Sequence, residues 1–431
     1  MKKYYLETYG CQMNFAESAS LENDFGKYGW QSTDSPEEAS AIILNTCSVR
    51  QSAEERVWGR LGFLKKYAEQ STRPVSLVLT GCLADHYGEK IRNRFPFVNF
   101  VVGNNGKGRL AEMLTQLTEN PHETDPAAAG YRFSSDHSVP GEFKAFVPIM
   151  HGCNNFCTYC IVPYVRGREI SRNPEDIISE IDTLLQKGVC EITLLGQNVN
   201  SYSWNGRSFD WLLKEICNRT NVRWLRFVSS HPKDLSDAVI ACMTEFPQIC
   251  KSLHLPVQHG SDNILKAMNR KYSKKDYLDL VNRIRKAMPD ITLTTDLLIG
   301  FPGETEDDLK ETLDLIREVR FDDAFTYFYN PRIGTKAAEM PNQLSEETKK
   351  ERLQRVIDFQ REISLKEKER FLNRVVTVLA EGRSKKNSGE ILGRTEQNNM
   401  VVFSGKDDII GQFVNVKLLS LSGTTYKGVC L

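Results

Sequence analysis

The sequence predicts an α/β protein in three parts: an N-terminal open parallel α/β domain, a partial (β/α)6 barrel and a small C-terminal β-barrel. Three observations predict it. Apolar or β-branched runs alternate with helix-forming stretches in two separate series, a turn-rich segment divides those series, and from residue 375 short alternating strands take over with glycine at the turns. A chain of 431 residues is also too long for one ordinary core. The expected boundaries are 1–118 for the first domain, 119–140 for a linker, 141–368 for the barrel and 369–431 for the tail.

In the first domain the strand candidates are 4–8, 41–44, 76–79 and 98–102, each followed or preceded by a helix-forming stretch. The linker is read from 120–130, where Asn, Pro, Asp and Gly accumulate. In the barrel the candidates are 146–150, 191–195, 224–228, 252–255, 292–299 and 325–329. Six βα units suit a partial barrel rather than an eight-fold one. Helices are expected at 175–186, opened by Asn173 and Pro174, and at 307–319, with a charged helix over 346–371. The tail's runs at 375–379, 400–403 and 413–416 suit a small barrel.

Composition narrows the class. Apolar residues are 40% and charged residues 26%, as in a soluble globular protein, which excludes a disordered or fibrous chain. No run approaches 18 apolar residues, so no membrane span is expected. Glu7 interrupts the N-terminal stretch before a signal-peptide core can form. A cytoplasmic location with reduced thiols is therefore expected, and monomer is the default state. Lys+Arg and Asp+Glu are both 56, which argues against a globally basic nucleic-acid binder. Residues 373–431 hold eight bases and five acids, a local excess of three positive charges.

Eleven cysteines in a reducing compartment make a poor disulfide framework. Cys153, Cys157 and Cys160 form C-x3-C-x2-C after the first barrel strand, at the end of a barrel where ligands bind. Three thiolates on one short loop suit a [4Fe–4S] cluster with one iron left open, and S-adenosylmethionine fits that opening. The other readings are three buried cysteines or a zinc site lacking its fourth ligand. Cys11, Cys47 and Cys82 each follow a predicted strand, 36 and 35 residues apart. In a parallel sheet the carboxyl ends of the strands share one edge, so these three can converge into a second set. Ordinary core cysteines are the alternative. Cys190, Cys217, Cys242, Cys250 and Cys430 stand alone and read as core or surface residues.

The first loop, with Tyr159 before its last cysteine, resembles the radical S-adenosylmethionine signature. Thr8-Tyr9-Gly10-Cys11-Gln12-Met13-Asn14, Asn45-Thr46-Cys47-Ser48 and Thr80-Gly81-Cys82 resemble the N-terminal domain of methylthiotransferases. The resemblance runs through Gly167-Arg168-Glu169, Leu195-Gly196-Gln197-Asn198-Val199-Asn200, Ser230-His231-Pro232, Pro256-Val257-Gln258-His259-Gly260 and Gly300-Phe301-Pro302-Gly303-Glu304. It covers essentially the whole chain, and the tail, with Gly393-Arg394-Thr395-Glu396, looks like a TRAM domain. His259 departs from the serine expected there, which bears only on its local contact. Tyr9-Gly10-Cys11-Gln12-Met13-Asn14 points to the tRNA-2-methylthio-N6-dimethylallyladenosine synthase branch.

The resemblance implies two [4Fe–4S] clusters, with S-adenosylmethionine as both methyl donor and radical source. The Cys153, Cys157 and Cys160 cluster would yield a 5′-deoxyadenosyl radical. The Cys11, Cys47 and Cys82 cluster would hold the sulfur that is methylated and inserted at position 37 of tRNA bearing N6-isopentenyladenosine. It further implies as partners the tRNA anticodon loop, an electron donor such as a flavodoxin, and a sulfur or cluster source. Gln197, Asn198 and Asn200 follow the second barrel strand, and His231, Gln258 and Asp296 lie at or near strand ends; all six are candidate cofactor contacts. Arg166, Arg168 and Arg172 flank the cluster loop and could meet RNA phosphates. The loop Gly103–Gly108 reads as a plain turn, since it matches neither G-x-G-x-x-G nor a P-loop. Two alternatives remain: the same chemistry on threonylcarbamoyladenosine tRNA or a ribosomal-protein aspartate, and a non-catalytic iron–sulfur RNA-binding protein.

Overall fold

The computed structural model describes residues 2–49, 51–70, 75–119, 130–387 and 389–431. The N-terminal sheet holds β1 (Lys3–Thr8), β2 (Gln31–Ser32), β3 (Ala41–Thr46), β4 (Ser76–Gly81) and β5 (Phe100–Val102), in the order β2-β1-β3-β4-β5. Every pairing is parallel. The central strand β3 is buried along its whole length, which is why its stretch 41–44 reads as an unbroken apolar run rather than an alternating one. Short β2 was not legible, because two exposed polar residues carry no pattern. Apolar layers lie on both faces of the sheet, Leu21, Phe25 and Leu114 on one and Val57, Leu61 and Leu83 on the other.

The barrel strands form two three-stranded parallel sheets. One holds β6 (Lys144–Pro148), β9 (Glu191–Leu195) and β12 (Trp224–Phe227) in the order β12-β9-β6. The other holds β13 (Ser252–His254), β14 (Thr292–Ile299) and β15 (Asp323–Phe328) in that order. An isolated bridge between Leu225 of β12 and Ile249 ties β12 to the segment that leads into β13. The antiparallel pair β7 (Met150–His151) and β8 (Ile170–Ser171) brackets the C-x3-C-x2-C loop. A smaller hairpin joins β10 (Ser203–Trp204) to β11 (Arg207–Ser208). The outer helices start where local chemistry dictates. Asn173 accepts a hydrogen bond from the backbone of Glu175, and Ser273 with Asp276 and Thr305 with Asp308 form capping boxes. One large core fills the space between strands and helices.

The tail closes as a five-stranded barrel in the order β16-β17-β18-β20-β19: β16 (Val375–Arg383), β17 (Glu390–Thr395), β18 (Met400–Ser404), β19 (Phe413–Ser422) and β20 (Thr425–Cys430). It packs against the amino ends of the larger barrel's strands, with Leu379 and Phe413 on Trp224 and Cys250. Arg226 reaches across to the backbone carbonyls of Thr395 and Glu396. Of the expected linker, residues 120–129 lie outside the described residues. Residues from 130 on are docked to both neighbouring parts. Tyr131 stacks on His151 with ring centroids 3.5 Å apart, His137 bonds Glu180 at 2.6 Å, and Asn23 donates to the carbonyls of Asp136 and Ser138.

Candidate active site

Cys11, Cys47 and Cys82 follow β1, β3 and β4, neighbours in the sheet, so the shared carboxyl edge brings them together. Two glycines make that approach possible. Gly10 (φ +126°) and Gly81 (φ +94°) precede two of the cysteines, and an added Cβ would lie 2.3 Å from Cys47 Cβ and 2.4 Å from the Thr46 carbonyl oxygen. Cys47 is buried and its thiol donates to Cys11, which with the nearby Arg166 guanidinium draws the Cys11 thiol down to about 5. The same hydrogen bond and burial push Cys47 upward. Asn14 Nδ2 ties the set together by donating to the carbonyls of Tyr9 and Thr46, each at 2.9 Å.

Cys153, Cys157 and Cys160 sit on a loop fixed by backbone geometry. Gly152 (φ +79°) passes so close to Arg168 that an added Cβ would be 2.0 Å from its carbonyl oxygen. Thr158 anchors the loop through the carbonyls of Met268 and Ala267. Burial pushes the thiols of Cys153 and Cys160 up to about 11 and about 12. Thiolate ligation of a cluster there would release protons. Arg270, itself buried, donates to Cys157 Sγ at 3.4 Å and to the Pro256 carbonyl at 2.9 Å.

The two sets adjoin. Cys82 packs against Ile161 and Val165, the turn that follows Cys160. Arg166 extends from that turn into the N-terminal domain, donating to Glu17 Oε1 at 2.7 Å and Asn14 Oδ1 at 3.1 Å. Lys107 completes the buried network by pairing with Glu17 and donating to Asn45 Oδ1 at 3.0 Å. Burial alone would raise the Glu17 carboxyl, but Arg166 and Lys107 hold it well below the carboxylate range. Asn104 Nδ2 reaches the Cys82 sulfur at 3.8 Å and the Val165 carbonyl at 3.1 Å. Arg166→Met therefore strips a buried carboxylate of its main partner. We expect a loss of about 3–5 kcal/mol, seen as a fall in Tm of roughly 10 °C by thermal unfolding.

This arrangement corrects two expectations. Arg166 and Arg172 do not face RNA: both are buried, paired with Glu17 and Glu180, and only Arg168 is exposed. The loop from Gly103 is more than a turn, since its Asn104 and Lys107 touch Cys82 and Glu17. Asn104, Lys107, Glu17 and Arg270 carried no local signal, because each acts through residues distant in sequence. His259 is a core anchor, bonding Glu304 at 3.2 Å and accepting from the Ser261 backbone at 3.0 Å.

The candidate cofactor contacts divide. Gln197 Oε1, Asn198 Oδ1, both amide atoms of Asn200 and Ser230 Oγ are buried without hydrogen-bond partners at the carboxyl ends of β9 and β12. Buried polar atoms left open in this way fit a zwitterionic ligand such as the amino-acid end of S-adenosylmethionine. His231 lies beside them; burial and then Arg270 draw its imidazole down to about 2, so it stays neutral. Phe156 (φ +47°), Ser229 (φ +63°) and Gln258 (φ +74°) hold left-handed conformations at this same mouth. Asp296 lies in mid-strand rather than at a strand end, with its Oδ2 3.4 Å from His254 Nε2. Among the described residues no three His, Cys, Asp or Glu side chains converge on a single metal ion. A four-iron cube takes each cysteine on a different iron, so its ligands stand farther apart than those of one ion, and three thiols on one loop suit it.

Comparison with known proteins agrees part by part. The Radical SAM superfamily matches residues 147–316, an uncharacterized protein family matches 3–103, and the TRAM domain matches 369–428. The tRNA-2-methylthio-N(6)-dimethylallyladenosine synthase of Treponema pallidum is 44% identical, covering 98% of both chains. Those of Treponema denticola and Fusobacterium nucleatum are 45% and 44% identical, with 98–99% of each chain covered. The chain belongs to the tRNA-2-methylthio-N(6)-dimethylallyladenosine synthase family. Its fold is that of radical S-adenosylmethionine enzymes. The methyltransferase TsrM from Kitasatospora setae, solved with cobalamin and a [4Fe–4S] cluster, matches with a TM-score of 0.59 at 14% identity, over 78% of this chain and 74% of that one. The cobalamin-dependent enzyme OxsB matches with a TM-score of 0.53 at 12% identity, over 84% and 56%. No helix among the described residues is long and apolar enough to cross a membrane.

Proposed function

We propose that this protein is a tRNA methylthiotransferase that converts N6-isopentenyladenosine at position 37 to its 2-methylthio derivative. The observation that carries the reading is the pair of three-cysteine sets at adjoining strand ends, with Cys82 packed on the turn that follows Cys160. When bound, two [4Fe–4S] clusters and S-adenosylmethionine supply a methylated sulfur and a 5′-deoxyadenosyl radical. Cys153, Cys157 and Cys160 hold the first cluster, with Arg270 donating to Cys157. Cys11, Cys47 and Cys82 hold the second. Gln197, Asn198 and Asn200 orient the cofactor through their open polar atoms, the neutral imidazole of His231 lies beside them, and Gln258 shapes the mouth with its strained backbone.

The small barrel contributes binding. Lys385, Lys386, Lys406, Lys417 and Lys427 are exposed on it and supply phosphate contacts to the RNA. Arg168, over the Phe156 ring at 4.4 Å, adds an exposed cation at the catalytic end. An electron donor such as a flavodoxin, a source of sulfur and clusters, a monomeric state and a cytoplasmic location complete the reading. The test against a non-catalytic iron–sulfur protein is product analysis after anaerobic reconstitution and reduction. Both 5′-deoxyadenosine and S-adenosylhomocysteine should accumulate from S-adenosylmethionine when the tRNA is present. Release of neither, with about eight irons bound, would leave only a binding role.

A further inference from the structure

The inner face of the barrel is finished differently in its two halves. On the half built from β6, β9 and β12, Phe146, Leu195 and Val228 are covered by Met13 and Ala16 of helix α1 (Gln12–Lys27), beside Cys11. On the other half, register sets His254 opposite Thr294 and Asp296 opposite Phe325, with Tyr327 two residues further along. Side chains alternate along a strand, so these five share one face. The opposite face carries Leu253, Leu293 and Leu297, buried against the outer helices. The shared inner face is open: Phe325 is 53% exposed and Tyr327 39%. His254 makes an edge-to-face contact with Phe325 at 5.6 Å and lies 3.0 Å from Thr294 Oγ1 and 3.4 Å from Asp296.

Two large aromatic rings held open beside an oriented imidazole–carboxylate pair make a recognition surface rather than a core. Its place narrows the occupant. It lies inside the barrel whose mouth carries Cys153, Cys157 and Cys160, and it continues the face that Cys11's helix covers. We infer that this face seats the target purine after it leaves the anticodon-loop stack. The inference rests on the methylthiotransferase reading above and deepens it. Phe325 and Tyr327 provide stacking surfaces, and they suit an apolar substituent at N6. His254, Thr294 and Asp296 present donors and acceptors to the base edge, as proteins do for unpaired RNA bases.

The test uses the reconstituted holoenzyme, kept anaerobic, and two anticodon stem-loop RNAs. One carries isopentenyladenosine at the target position and the other an abasic residue. The unaltered enzyme should prefer the first by about ten- to a hundredfold, the range one stacked base supplies. Phe325→Ala should cut that preference to within about threefold, leaving affinity for the abasic RNA and for S-adenosylmethionine unchanged, while Phe325→Tyr keeps it. Because Phe325 is exposed, iron content and Tm should match the unaltered protein. The seat is overturned if Phe325→Ala keeps the full preference, or if it weakens S-adenosylmethionine binding instead, which would assign the face to the cofactor's own adenine. An unaltered enzyme with no preference also overturns it, and nucleoside analysis on the same preparation then decides separately whether the function stands.

Discussion

Cys157→Ala is expected to stop cleavage of S-adenosylmethionine. The 153–160 loop carries three cysteines, one short of the usual four ligands, so losing one should remove the cluster rather than weaken it. Iron content should fall from about eight to about four per chain, and 5′-deoxyadenosine formation at least about a thousandfold. The fold should survive, because the loop is held by Thr158 and Gly152 rather than by the cysteines. Arg270 would lose its sulfur partner but keep the Pro256 carbonyl and the Tyr272 hydroxyl. Retained cleavage in Cys157→Ala would contradict the assignment of this loop.

Cys47→Ala should separate the two halves of the chemistry. Methylthio product should fall more than about a hundredfold while 5′-deoxyadenosine still forms within about twofold of the unaltered enzyme. Iron should again fall to about four. The side chain removed is small, and its neighbour Gly10 already fits closely there, so little packing is lost. Cys250→Ala is the control. Cys250 is equally buried but sits at the far end of the barrel against Trp224 and Leu379, and its loss should change neither iron nor product. Equal iron losses should thus leave 5′-deoxyadenosine formation intact in one cysteine variant and abolish it in the other, which a single-cluster protein cannot produce.

Most of the architecture was legible because parallel strands buried on both faces write runs of apolar and β-branched residues, as in 41–44 of β3 and 192–195 of β9. The convergence of Cys11, Cys47 and Cys82 could be read because each sits one βα unit from the next. The Gly10-Cys11 and Gly81-Cys82 pairs have a physical cause that only coordinates reveal, the contact of each glycine with the neighbouring strand's end. The junction was not legible. Arg166 meets Glu17 across 149 residues, and Arg270 meets Cys157 across 113. Nothing local distinguishes such an arginine from a solvated one, which is why Arg166 and Arg172 read as RNA contacts. Phe325 likewise read as an ordinary strand residue, and Asp296 as a cofactor contact, until register placed them on one open face.

The central claim, methylthio transfer to isopentenyladenosine, is tested most directly by nucleoside mass spectrometry. The reconstituted protein would be incubated anaerobically with reductant, S-adenosylmethionine and two tRNAs in parallel. One carries isopentenyladenosine and the other threonylcarbamoyladenosine. The account predicts the mass gain of a methylthio group on the isopentenyl nucleoside alone. A gain only on the threonylcarbamoyl nucleoside would keep the chemistry and contradict the substrate. No gain on either, with both clusters assembled, would contradict the account as a whole.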